Sequence, residues 1–338
     1  MTPAPRRRIT LARYRRITLL ALLALAVIVV SGAAVRLTGS GLGCEDWPRC
    51  TEERFVAEGE FHQLVEFLNR AFTGVVSVAV MLAVLGSLWL DQRRRDLTLW
   101  SLGLVAGVIG QIVLGGLVVL FHLSPWLVLG HFSLSMVLVW NAVVLHQRAR
   151  GPAGPRASTM SHRLTLLTRG VVGLSMIVIF SGTIVTGSGP HSGAHGDQFV
   201  ERLPFAVHTV ARLHGAAMIA FLVATLALGW MLRPGARETS AADAPRARRD
   251  LSTLLTVLVA QAAIGYVQYF SDVPPLLVGI HVAGATTLWI TMVWFYLRRF
   301  EPVLSAALRP ELSAPLRPEL SAPLPFDEVA NGDVSTET

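Results

Sequence analysis

The sequence predicts an all-α polytopic membrane protein. Eight transmembrane helices are expected as two tandem four-helix bundles, related by a pseudo-two-fold axis along the membrane normal. Three observations carry this. Of the 338 residues, 52% are hydrophobic and 15% charged, whereas soluble domains carry about 25% charge. Eight apolar runs are each long enough for a span of ~20 residues. The basic residues, all of them Arg, gather in short tracts between apolar runs. This composition excludes the two soluble domains that the length would ordinarily suggest, and so apolar a chain cannot stay solvated as a disordered coil. A net charge of +7 would otherwise raise nucleic acid as a partner. Here the Arg tracts flank membrane spans, so the partners expected are lipid and not nucleic acid.

The runs fall at 17–37, 66–90, 97–121, 127–147, 166–186, 208–231, 251–271 and 276–297. Residues 1–16 precede the first span and hold Arg6, Arg7, Arg8, Arg13, Arg15 and Arg16. Arg93–Arg95 follow the second span, the 148–165 linker holds four Arg, and further Arg follow the sixth and eighth. The alternate loops hold Glu45, Asp46, Glu52, Glu53, Asp197, Glu201 and Asp272, with few Arg. Lys and Arg favour cytoplasmic loops, so both termini are expected in the cytoplasm of a plasma-membrane protein. The first apolar run is too long for a signal peptide and has a counterpart later in the chain, so it reads as a retained span. The 298–338 tail repeats LRPELSAP; its Pro content and lack of apolar period predict a disordered cytoplasmic extension.

An internal repeat organises the rest. Gln111, Gly115, Pro125 and His131 recur as Gln261, Gly265, Pro275 and His281, each 150 residues on, as does Ser31-Gly32 at Ser181-Gly182. The tetrad Thr38-Gly-Ser-Gly41 recurs as Thr186-Gly-Ser-Gly189. No strand precedes either tetrad, so both read as turns and not phosphate-cradling loops. Each unit has four spans, giving bundles at 17–147 and 166–297 in one orientation, an arrangement that places sites within each bundle or between the halves.

His131 opens span four and His281 span eight; His214 lies in the first turns of span six, at the same side of the membrane. A lone His at a span end is ordinarily an interfacial residue. Two at equal depth in one bundle can clamp a haem iron axially, because neutral imidazole suits iron. At the place equivalent to His214, span two holds Asn69, with Glu66 three and His62 seven residues before it. These three share one helical face. Glu66 is either a helix-start carboxylate favoured by the macrodipole and paired with Arg70 at i+4, or a functional acid facing the same site as Asn69. Cys44 and Cys50, the only cysteines, fall in the first outer loop, where an oxidising face favours their pairing. The pair would serve as a loop staple or, alternatively, in redox exchange with a substrate. His191, His195 and Asp197 lie in a Gly-rich loop that argues against a metal cage. His146 and His162 read as surface residues of the cytoplasmic side.

With these residues in place, the chain resembles the haem A synthase family over roughly residues 17–297. The motifs that carry the resemblance are Thr38-Gly-Ser-Gly-Leu-Gly-Cys44, Cys44-Glu-Asp-Trp-Pro-Arg-Cys50 and Glu66-Phe-Leu-Asn-Arg70, together with the His residues of spans four, six and eight. The resemblance implies an oxidoreductase of a bacterial plasma membrane that oxidises the C8 methyl of haem O to a formyl group by successive hydroxylations, for terminal oxidase biogenesis. It implies that His214 and His281 hold a haem b cofactor, and that the first bundle binds the substrate haem through His131, with Glu66 and His131 as catalytic residues. It also implies a functional role for the Cys44–Cys50 pair, and as partners a haem O synthase and an electron donor. One departure stands out: where many members carry Glu-x-x-His-Arg, this chain has Asn69 at the His position, leaving His62 as a substitute or an open site. The competing readings are a bis-His membrane cytochrome or quinol-linked thiol oxidoreductase, and a transporter. The transporter is disfavoured by spans nearly free of charge at depth.

Overall fold

The computed structural model describes residues 8–303. Eight helices are long and apolar enough to cross a membrane, and the protein is a multi-pass membrane protein. They are α1 (Leu11–Leu37), α2 (Phe61–Leu88), α3 (Arg95–Leu120), α4 (Pro125–Arg148), α5 (His162–Ser188), α6 (Val207–Met231), α7 (Ala244–Phe270) and α8 (Pro275–Leu297). Several run past their apolar windows, because a helix continues as long as its backbone bonds are made. The 27 residues of α1 rise ~40 Å, against a hydrocarbon core of ~30 Å, so both of its ends reach the interfaces. The start of α1 therefore lies inside the 1–16 segment expected to precede the span. Thr10 caps it, its hydroxyl oxygen accepting from the Arg13 N–H at 3.4 Å.

Consecutive helices pair as antiparallel hairpins: α1 with α2, α3 with α4, α5 with α6 and α7 with α8. The inner helices α1, α4, α5 and α8 join the halves, with α4 against α8, α1 against α8 and α4 against α5. At the centre the Trp289 indole N–H donates to the Met136 carbonyl at 2.9 Å, and the Trp140 and Trp289 rings lie 5.6 Å apart. Leu20, Leu99, Ile219 and Trp230 on the outer surface are each more than 60% exposed. A soluble protein would bury such residues; here they face lipid.

The two halves share local geometry at the spacing read from the sequence. His122 and Leu123 have left-handed backbone, φ 50° and 59°, and so do Asp272 and Val273, φ 55° and 57°. Left-handed conformation is uncommon outside glycine, yet it occurs twice at matched positions. Each pair ends just before a helix opened by Pro125 or Pro275. Along those helices Met136, Leu138 and Val139 are buried, and so are Thr286, Leu288 and Trp289.

At the arginine-rich end, β1 (Arg156–Ser158) pairs antiparallel with β2 (Phe300–Pro302). A two-residue turn after α8 therefore leads into strand and not loose tail; the LRPELSAP repeats lie outside the described residues. Below them Arg299, fully buried, donates to Asp243 at 3.0 Å and to Asp250 at 2.6 Å. Burial lowers the pKa of this guanidinium, and the two carboxylates oppose the shift. His146 is also buried at this end, sharing a hydrogen bond with Thr18 at 2.9 Å and stacked on Trp294. That corrects its reading as a surface residue. His162 is exposed.

Candidate functional site

At the end away from the arginine tracts, the second half brings His214 of α6 and His281 of α8 together, with ring centroids 6.5 Å apart and planes at 73°. Ser181, on α5, donates its hydroxyl to the Val178 carbonyl at 2.9 Å. Its 3.0 Å contact with His214 Nδ1 therefore takes the ring proton from the histidine. That leaves the lone pair on His214 Nε2, the form an imidazole needs to ligate a metal. On the other ring, Nδ1 of His281 is buried and has no hydrogen-bond partner among the described residues. Gln261 steadies the backbone there, donating to the His281 carbonyl at 2.9 Å.

Glycines let the neighbouring helices lie against these rings. A Cβ at Gly265 of α7 would sit 2.8 Å from His281 Cε1, and one at Gly182 of α5 would sit 3.1 Å from His214 Cε1. Both are closer than ordinary van der Waals contact, so a side chain at either position would push its ring aside. The recurring Ser31-Gly32 and Ser181-Gly182 dipeptides were the sequence signal for this support, which a search for metal ligands alone passes over.

The first half carries the counterpart with one change. Ser31 donates to Asn69 Oδ1 at 2.7 Å, at the place where Ser181 accepts from His214 in the second half. Gln111 donates to the His131 carbonyl at 3.0 Å, as Gln261 does at His281, and His131 Nδ1 is likewise buried with no partner among the described residues. Asn69 therefore occupies the place of His214, and this half brings one imidazole where the second brings two.

Glu66 is 4% exposed, and its contacts are specific. Oε2 accepts the Cys44 N–H at 2.9 Å; Oε1 accepts Arg70 Nε at 3.1 Å and Nη2 at 2.5 Å. The Arg70 guanidinium also donates to the carbonyls of Asp46, Arg49 and Cys44. The i+4 pairing is thus formed, and it fastens the loop that Cys44 and Cys50 close as a disulfide. His62 turns away from Asn69 towards the loops: its Nδ1 shares a hydrogen bond with Ser40 at 3.0 Å, and its ring stacks on His195 at 4.0 Å and 7°.

The loop after α5 covers the first half. His195 Nδ1 donates to the Gly39 carbonyl at 2.9 Å, Gly41 N–H donates to the Gly193 carbonyl at 2.8 Å, and Arg36 reaches the carbonyls of His191 and Thr186. Gly39 has φ +69°, and a Cβ there would lie 2.8 Å from the Ala194 carbonyl oxygen, so this crossing requires glycine. The first tetrad is the turn that was expected; in the second, Thr186–Ser188 form the last turn of α5. His191 Nε2 donates to the Val273 carbonyl at 2.8 Å. Among the described residues no three His, Cys, Asp or Glu side chains cluster as a metal site. Two imidazoles in one bundle are the donor set that a macrocycle-bound iron takes from a protein.

Comparison with known proteins bears on this arrangement. Residues 15–293 match the family described as cytochrome oxidase assembly protein, COX15-CtaA. Curated relatives include the heme A synthase of Exiguobacterium sibiricum, 24% identical over 47% of this chain and 54% of that protein. The heme A synthase of Listeria welshimeri is 28% identical over 38% and 43%, and that of Bacillus mycoides 26% over 48% and 53%. The chain spans about half the length of the curated relatives it matches.

Proposed function

Because the chain belongs to the COX15-CtaA family of cytochrome oxidase assembly proteins, we propose that it is a haem A synthase of a bacterial plasma membrane. In this reading it oxidises the C8 methyl of haem O to a formyl group, for terminal oxidase biogenesis. The observation that carries the reading is the His214–His281 pair, 6.5 Å between ring centroids. With metal–nitrogen bonds of about 2 Å added to the two ring radii, one iron fits between them. His214 and His281 would hold haem b, with Ser181 fixing the tautomer of one ring and Gly182 and Gly265 leaving space for both. Bound there, haem b would supply one-electron transfer.

The two halves read as copies of one four-helix unit about an axis along the membrane normal, supported by the matched left-handed pairs and the matched Ser and Gln hydrogen bonds. The substrate haem O then belongs in the first half, held by His131. Asn69 is a poor iron ligand beside imidazole, so this site keeps an exchangeable position. Glu66 serves the proton transfer that methyl oxidation requires, on a carboxylate whose position Arg70 fixes. The loop after α5 covers this half and excludes water from it. By the arginine distribution both termini are cytoplasmic and both haem sites lie near the outer face. A haem O synthase and an electron donor complete the set of partners.

Extraction of pigment from the expressed protein tests the reading. Haem A or haem O alongside haem B is the result expected. Haem B alone would instead support the bis-His cytochrome or thiol oxidoreductase, and no haem at all the transporter.

A further inference from the structure

We propose that the cleft between α6 and α7 at the arginine-rich end binds an anionic phospholipid, its phosphate on Arg248 and Arg233 and one acyl chain along α7. The cleft measures about 810 Å³, within the roughly 300–1,000 Å³ range of ligand-binding clefts. Its wall is apolar, formed by Leu232, Leu251, Leu255 and Val259, and its rim carries Arg233 and Arg248. From Leu251 to Ala260 the α7 wall rises ~13 Å, close to the ~15 Å of one leaflet's hydrocarbon. The cleft therefore has the depth of an acyl chain and opens where headgroups lie.

Among the described residues no carboxylate pairs with either arginine of the rim. Among the described residues Arg248 is half-buried with no hydrogen-bond or ion-pair partner. Arg233 donates to the Trp230 carbonyl at 2.8 Å and lies over the Trp230 ring. The neighbouring Asp250 is held by Arg298 and Arg299, so it is not available to either. Arg237 and Arg249, both exposed, add further positive charge. A half-buried guanidinium beside apolar wall is stabilised by a phosphate, and basic pockets between spans at this interface suit anionic headgroups.

The first half shows what a closed seam looks like. There Ser87 of α2 donates to Thr98 of α3 at 3.0 Å, and Ile9 of the N-terminal segment bonds the Trp89 carbonyl at the end of α2. The register that matches Asn69 with His214 sets Leu232 against Ser87, and the register that matches Gln111 with Gln261 sets Arg248 against Thr98. The two residues that would close the second seam are therefore the apolar wall and the cation of the cleft.

The test measures lipid retained by the intact protein. Wild type, Arg233→Gln/Arg248→Gln and Val259→Trp are purified in a delipidating detergent and exposed to micelles containing phosphatidylglycerol or phosphatidylcholine, and bound lipid is quantified by mass spectrometry. Wild type should retain about one phosphatidylglycerol per chain and prefer it to phosphatidylcholine by about tenfold or more, from two interfacial arginines. The double variant should lose that preference. Val259→Trp, at an exposed position, fills the cleft and should lower retention of both lipids while leaving the arginines in place; it carries the test if the double variant does not fold. Equal retention by wild type and the folded variants would overturn the proposal. So would equal binding of the two lipids by wild type, or displacement of the phospholipid by millimolar inorganic phosphate, which would make the ligand a free anion.

Discussion

Arg70 holds Glu66 through two donors on a single carboxylate oxygen, at 3.1 and 2.5 Å, while the other oxygen receives the Cys44 N–H at 2.9 Å. One carboxylate thus ties the second helix to the disulfide loop. This arrangement sets the terms on which a catalytic role for Glu66 can be separated from a structural one.

Glu66→Gln keeps the shape of the side chain and one acceptor oxygen for Arg70, sets an amide donor against the Cys44 N–H, and removes the proton-transfer group. The haem b spectrum should be unchanged, with conversion slowed by about 10²-fold or more and haem O or a hydroxylated intermediate accumulating. Haem A formation at the wild-type rate would leave Glu66 as the anchor of the loop and no more.

His214→Ala and His281→Ala should each abolish the bis-imidazole low-spin spectrum, since each removes one axial nitrogen. Ser181→Ala should preserve the haem while shifting its reduction potential, because the hydrogen bond that orients His214 is lost. An unchanged spectrum in both histidine variants would remove this pair from the haem site.

Asn69→His places an imidazole opposite Ser31, reproducing the Ser181–His214 contact. If the first half binds haem through His131, its iron should move to a six-coordinate low-spin form and turnover should fall. The check is the absorption spectrum of protein loaded with substrate haem. No spectral change would place Asn69 away from the iron.

Cys44 and Cys50 should resist alkylation in isolated membranes until a reductant is added. Loss of the pair should lower activity more than stability, because Arg70 still grips the loop through the carbonyls of Asp46, Arg49 and Cys44. Labelling of both thiols without reduction would contradict the pairing.

Arg299→Met leaves Asp243 and Asp250 buried without their shared cation, and should destabilise the protein by about 3–5 kcal/mol. Thermal unfolding of the purified protein reads this directly. Asp243→Asn/Asp250→Asn in the same background should recover part of the loss.

The spans, their number and the paired positions were legible because each rests on local pattern: apolar length for a span, fixed spacing for a repeated residue. His131 and His281 could be matched for that reason, and so could Asn69 and His214. What stayed hidden depends on contacts between residues far apart in the chain. Thr18 reaches His146 across more than a hundred residues, which turns an expected surface histidine into a buried one. The stacking of His62, in the first turn of α2, on His195, and the crossing of Gly39 beneath Ala194, join segments of opposite halves, whose meeting no periodicity encodes. Glu66 falls between these cases: its i+4 partner could be read from spacing, but its bond to the Cys44 backbone could not.

The indole of Trp289 acts as a dowel between the halves. Its N–H seats in a backbone carbonyl of α4, so it fixes the height of one half against the other as well as their distance. A device that works by rocking one bundle over its twin would have to draw this pin in hydrocarbon, where no water waits to take up the freed groups. In the proposed reading, with one haem held in each half, such a pin keeps the spacing between the two sites constant from one turnover to the next.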